Sequence, residues 1–109
     1  MRVAGIGLRA QTSAADVAAA LAGLRVDALA CLAGKGAALV GLGLPVVQIA
    51  EVAGIATPSH SDRIMARFGT GCVAEAVALA AAGSGARIVQ ARQVFNGPLT
   101  LAIAEGSGE

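Results

Sequence analysis

Twenty-seven alanines and fifteen glycines in 109 residues set the tightest limit on what this chain can fold into. Side chains this small bury little apolar area each, so a core built from them forms only where elements lie very close together. Only Phe68 and Phe95 are aromatic, yet 56% of the residues are hydrophobic, far above the level at which a chain stays disordered. The expectation is one thin, densely packed domain over residues 1–105, with a flexible tail over 106–109.

Short apolar runs alternate with longer amphipathic stretches, the pattern of an α/β layer fold. Arg2 to Gly7 reads as a buried first strand. Thr12 or Ser13 then caps a helix from Ala14 to about Leu24, with Asp16 in its first turn where a negative charge suits the helix dipole. Asp27 to Leu32 is a second strand, followed by the loop Ala33-Gly34-Lys35-Gly36. Ala37 to Leu42 leaves room for about two helical turns, and Val46 to Ile49 is a third strand. Glu51 to Ala56 is a loop or a single turn.

Pro58 biases Thr57 towards extended backbone, and Ser59 is expected to cap a helix over Asp62 to Phe68. Thr70, between Gly69 and Gly71, is expected to cap another helix from about Cys72 to Ala82, with Glu75 in its opening turns. Arg87 to Phe95 and Leu99 to Ala104 flank Asn96-Gly97, the strongest short-range hairpin signal. These elements predict a three-layer α/β/α domain with a mixed sheet of about five strands, ending in an antiparallel hairpin.

Charge excludes several classes of function. Eight Lys and Arg against seven Asp and Glu are spread along the chain without a basic run or stacking aromatics, which argues against nucleic-acid binding. The longest uncharged stretch, Gly36 to Ala50, is 15 residues and falls short of the ~20 that span a bilayer, so no membrane partner is expected. Met1 to Leu8 is too short and too Gly-broken for a signal-peptide core. Cys31 and Cys72 are far apart, without a CxxC motif and with His60 as the single imidazole, so neither a metal site nor a cofactor is implied. Two reduced thiols fit a cytoplasmic protein.

Gly5-Ile6-Gly7 after a first strand invites a dinucleotide fingerprint, but no acidic residue ends the second strand; Asp27 begins it. A broader reading stays open. Gly5, Gly7, Arg9, Thr12 and Ser13 place backbone amides, hydroxyls and a guanidinium near one point, a fitting site for a carboxylate or phosphate. The same residues also serve as a tight turn and an ordinary cap. Thr57, Ser59, Thr70 and Gly71 belong to two further helix starts that either converge on a crevice or simply cap. Lys35 is either a solvated charge or an anion contact from the loop. Glu75 and His60 are the candidate acid–base groups, although Ser59, His60 and Asp62 lie too close in sequence to orient as a triad.

As a whole, the chain resembles the cobalamin-biosynthesis family comprising CobE and the C-terminal domain of CbiG. The resemblance starts at Gly5-Ile6-Gly7-Leu8-Arg9-Ala10-Gln11-Thr12-Ser13, like the family's GIG-x-R-x-x-T-S opening. It continues through Ala30-Cys31-Leu32-Ala33-Gly34-Lys35, Leu42-Gly43-Leu44-Pro45 and Thr57-Pro58-Ser59. The helix Val73 to Leu79 and the closing strand Leu99 to Ala104 complete it. Many relatives carry Cys where this chain has Leu8, so thiol chemistry at that turn is not expected here.

The resemblance implies a corrin or precorrin intermediate as ligand, in an accessory or weakly catalytic role. Such a ligand is large, partly apolar and fringed with carboxylates, and Arg9, Thr12, Ser13, Lys35, Ser59, Thr70 and Gly71 are the groups expected to meet it. Fused members of the family open the ring A lactone of cobalt-precorrin-5A and release acetaldehyde. That activity belongs to a two-domain protein, and 109 residues are expected to leave no room for the first domain. The alternatives are a share in that hydrolase activity with a separate partner domain, or a non-catalytic module for another enzyme of the pathway.

Overall fold

The computed structural model describes residues 1–8, 12–95 and 99–108. Five strands form one sheet in the order β3-β2-β1-β5-β4, where β1 is Arg2–Leu8, β2 Ala28–Leu32, β3 Val46–Ile49, β4 Arg87–Phe95 and β5 Leu99–Glu105. β1, β2 and β3 run parallel, while β5 pairs antiparallel with both β1 and β4. Helix α1 (Ala14–Leu21) packs on one face of the sheet, and α2 (Asp62–Phe68) and α3 (Val73–Ala82) on the other. The expected layer order and mixed sheet are both present.

The two faces of the sheet differ in side-chain size, and this decides how closely each helix approaches. Alternate residues of a strand point to opposite faces. Ile6, Leu29, Leu101 and Ile103 point towards α1, which contributes Val17 and Ala20. The α3 face instead carries Val3, Ala28, Ala30, Ala102 and Ala104, with Gly5 and Gly7 between them. Helix α3 answers with Ala74, Ala76, Ala78 and Ala82. It comes so near β1 that a Cβ on Gly5 would overlap the carbonyl oxygen of Ala74 and lie 2.8 Å from the Cβ of Ala78. This interface is therefore built largely from alanine and glycine, and only such small residues let helix and sheet backbones nearly touch.

Several local expectations need correcting. Helix α1 ends at Leu21, three residues early, because Ala22 leaves helical geometry (ψ 127°) and Gly23 turns left-handed (φ 80°). The second helix shrinks to a 3₁₀ turn, Gly36–Leu39. Helix α2 is capped by Ser61, whose hydroxyl accepts from the Ile64 amide, rather than by Ser59. Helix α3 starts after Cys72, and Thr70 turns away to donate to the Ile55 carbonyl at 2.6 Å. Residues 106–108 make backbone hydrogen bonds to the rest of the domain. The Gly106 amide donates to Met1, the Ser107 amide to Ser84 and the Gly108 amide to Ala82. The hairpin strands are present, while Asn96-Gly97 lies outside the described residues. Among those residues, no single helix is long and apolar enough to cross a membrane.

Candidate functional site

Strand order reverses at β1: β2 and β3 follow outward on one side of it, and the chain then crosses over to place β5 and β4 on the other. In open α/β sheets the crevice beyond the carboxyl ends of the strands at such a switch is the usual ligand site. A cleft of about 550 Å³ lies there. Its floor is the end of β1 (Gly7, Leu8), the end of β2 (Leu32) and the first turn of α3 (Cys72, Val73, Ala74). One wall is α2, through Arg63, Ile64, Arg67 and Phe68; the other is the β4–β5 ribbon, through Arg92, Val94 and Thr100. Lys35 stands at the rim.

Charge in the cleft has one sign. Among the described residues, Lys35, Arg63, Arg67 and Arg92 are the ionisable ones in its lining apart from the Cys72 thiol, and no carboxylate lines it. Among the described residues none of the four cations is ion-paired; the pairs present are His60–Asp62 and Arg87–Glu105, both elsewhere. The Arg67 guanidinium lies over the Phe68 ring, 5.2 Å from its centroid, a contact that holds the charge without neutralising it. Helix α3 directs its amino end at the same space, adding partial positive charge. Ile64, Phe68, Val73 and Val94 supply apolar surface beside these charges. The arrangement suits a flat, partly apolar molecule bearing several carboxylates.

Of the residues singled out in the sequence, Gly7 and Lys35 line the cleft. Gly5 lies beneath α3 as a packing glycine. Ser13 is engaged in a capping box, accepting from the Asp16 amide while Asp16 accepts from the Ser13 amide, and Thr12 precedes it; neither lines the cleft. Arg9 lies outside the described residues. His60 is exposed and its ring nitrogen is 2.9 Å from Asp62, away from the lining.

Thr57, Ser59, Gly71 and Glu75 form a knot that does not line the cleft, and Thr70 is bonded instead to the Ile55 carbonyl. Glu75 is 0% exposed, and its Oε1 accepts from the Ser59 amide at 2.8 Å. Its Oε2 accepts from the Ser59 hydroxyl at 2.7 Å and from the Arg92 amide at 2.8 Å. Thr57 donates to the Ser59 carbonyl, and Gly71 is packed so tightly that a Cβ would lie 2.6 Å from that same oxygen. These groups shape the loop that carries α2 rather than facing the cleft.

Arg63, Arg67 and Arg92 are the site residues that sequence reasoning missed. Arg63 and Arg67 are four apart, as are Ile64 and Phe68, and that spacing puts a cationic and an apolar stripe side by side on one helix. Arg92 gave no comparable signal, because its place depends on which strand borders β5.

Burial pushes the Cys72 thiol above the ordinary thiol range, with the Glu75 carboxylate adding to the rise and the amides of Glu75 and Ala74 and the Arg92 charge opposing it. Burial alone raises Cys31. Cys72 is 2% exposed and Cys31 fully buried. Since the thiolate is the reactive form, both cysteines are expected to resist a disulfide-exchange reagent at neutral pH and to react together once the protein is unfolded in denaturant. A thiol that titrates rapidly in the native protein would contradict this packing.

The sequence matches the family model described as cobalamin synthesis G C-terminus over residues 32–104. Among solved structures it is similar to the cobalamin biosynthesis protein ChiG from Agrobacterium tumefaciens, with 33% identity, 98% of this chain and 99% of that chain covered, and a TM-score of 0.72. It is also similar to CobE, a protein from the cobalamin (vitamin B12) biosynthetic pathway, with 29% identity, 100% and 92% coverage, and a TM-score of 0.75. No curated protein matches the sequence.

Proposed function

This chain belongs to the cobalamin synthesis G C-terminal family, and from that premise we propose that its cleft binds a corrin-type tetrapyrrole acid as an accessory protein of cobalamin biosynthesis. The observation that carries the reading is that, among the described residues, four unpaired cations surround an apolar cleft with no carboxylate in its lining. A tetrapyrrole acid has the complementary character, an apolar ring edged by acetate and propionate groups. Guanidinium groups pair with carboxylates through two parallel hydrogen bonds, and an apolar floor meets the ring. Among the described residues the lining holds no imidazole and no carboxyl group, so the role proposed is binding rather than acid–base chemistry.

Absorbance titration with hydrogenobyrinic acid, a metal-free corrin polycarboxylate, tests this reading. Perturbation of the corrin bands at one ligand per chain is expected, weakening as salt is raised because the contacts are charge pairs near the surface. The same ring with its carboxylates converted to amides is expected to bind at least tenfold more weakly, since one lost charged hydrogen bond is worth ~1.5–3 kcal/mol. No spectral change at millimolar ligand would overturn the proposal.

A further inference from the structure

We infer that Glu75 is a positioning residue of the cleft: its buried carboxylate joins β4 at Arg92 to the loop entering α2 at Ser59, and so sets the two cationic walls relative to each other. The inference rests on the binding reading of the cleft but concerns a residue that does not line it.

Glu75 occupies the third position of α3, where an acidic side chain ordinarily reaches back to the amide of its own helix cap. Helix α1 shows that ordinary arrangement, with Asp16 accepting from the Ser13 amide at 3.1 Å. Glu75 does something else. Its carboxylate leaves its own helix start and accepts three hydrogen bonds from residues 16 and 17 positions away in sequence, on two different sides. Burying a carboxylate is expensive unless its oxygens are well paired, and here all three donors belong to segments that lead into a cleft wall.

Each anchor has a direct consequence for the site. Ser59 is two residues before Ser61, which caps α2, and the Ser61 amide itself donates to Gly71 at the foot of α3. Fixing Ser59 therefore fixes where α2 begins and where Arg63 and Arg67 stand. Arg92 lies on β4, the outermost strand, within a stretch whose pairing to β5 is irregular between Gln90 and Gln93. The Glu75 bond to its amide replaces the registration that the ladder does not supply there. One carboxylate thus serves both walls.

The test uses Glu75→Gln, which keeps the shape but leaves an amide group facing an amide or hydroxyl donor on at least one side. Affinity for hydrogenobyrinic acid is expected to fall about tenfold, a size typical of coupled neighbours. Arg92→Ala is expected to weaken binding about tenfold in the parent but less than about threefold in the Glu75→Gln background, because the guanidinium is already misplaced. A merely structural Glu75 would lower the melting temperature and leave the effect of Arg92→Ala unchanged; that result overturns the inference.

Amide hydrogen exchange supplies a readout that needs no ligand and no folding of the Gln variant. Ser59→Ala removes one of the three bonds, and faster exchange at the Arg92 amide, on the opposite wall, is expected. Unchanged exchange there would show that the two anchors are independent and would likewise overturn the inference. If the parent protein fails to perturb the corrin spectrum, the proposed function falls, and the exchange experiment still decides whether Glu75 couples the walls.

Discussion

Gly5→Ala is expected to destabilise the protein by about 3 kcal/mol or more, the upper end for forcing an extra carbon into a filled core. The added Cβ would overlap the Ala74 carbonyl and lie 2.9 Å from the Ala78 amide nitrogen. Both obstacles are helix backbone, which cannot rotate aside as a flexible side chain can. Relief requires α3 to lift from β1, and that opens the interface with Ala28, Ala30, Ala102 and Ala104. A fall in melting temperature of roughly 10–20 °C follows for a domain of this size. Gly7→Ala is the control two residues on, because a Cβ there meets Thr100 at an ordinary 3.4 Å. Its melting temperature is expected to stay within a few degrees of the parent. Equal stability of the Gly5 and Gly7 variants in thermal and urea unfolding would refute the close helix–sheet approach.

Reversing the α2 charges, with Arg63→Glu and Arg67→Glu together, is expected to lower affinity for a corrin polycarboxylate about 100-fold or more. Two charged hydrogen bonds of ~1.5–3 kcal/mol each are lost, and repulsion is added. Stability is expected to change by no more than ~1 kcal/mol, because both positions are exposed, α2 has no fully buried residue, and neither arginine is ion-paired among the described residues. Arg25→Glu is the matching control. Arg25 lines a separate, mostly apolar groove of about 480 Å³ formed by α1, Leu42 and Leu44, remote from the cleft. It should leave corrin binding intact. Full affinity in the α2 double variant would remove the cleft as the binding site, whatever the family's ligand.

The element order was legible from residues 2 to 105 because each segment carries its own local signal. The β-branched pair Val46-Val47, the alanine run of α3 stopped by Gly83, and the strand pair around Asn96-Gly97 all act over fewer than a dozen residues. The helix caps were less legible. Ser59, Ser61 and Thr70 are all competent caps by type, and nothing local ranks them. For α2, Ser59 is taken up by Glu75, sixteen residues later, which leaves Ser61 as the cap; for α3, Thr70 is taken up by the Ile55 carbonyl.

For the site, the sequence by itself determined the ingredients: Lys35 after β2, Gly7 at the end of β1, and Arg63 and Arg67 one helical turn apart on α2. Folding decided which of them meet. β5 inserts between β1 and β4, so Arg92 arrives across the cleft from α2, and the Gly5 gap lets α3 sink until its amino end forms the floor. Glu75 shows the division most clearly. Its position in the first turn of α3 reads as a helix cap or as an acid–base group. Only the packing of α3 against β4 and the 57–61 loop brings the Ser59 and Arg92 donors within 2.8 Å of its carboxylate. Local spacing encodes which face a residue takes on its own element, whereas a bond between residues 16 or 17 apart requires both segments to be in place first.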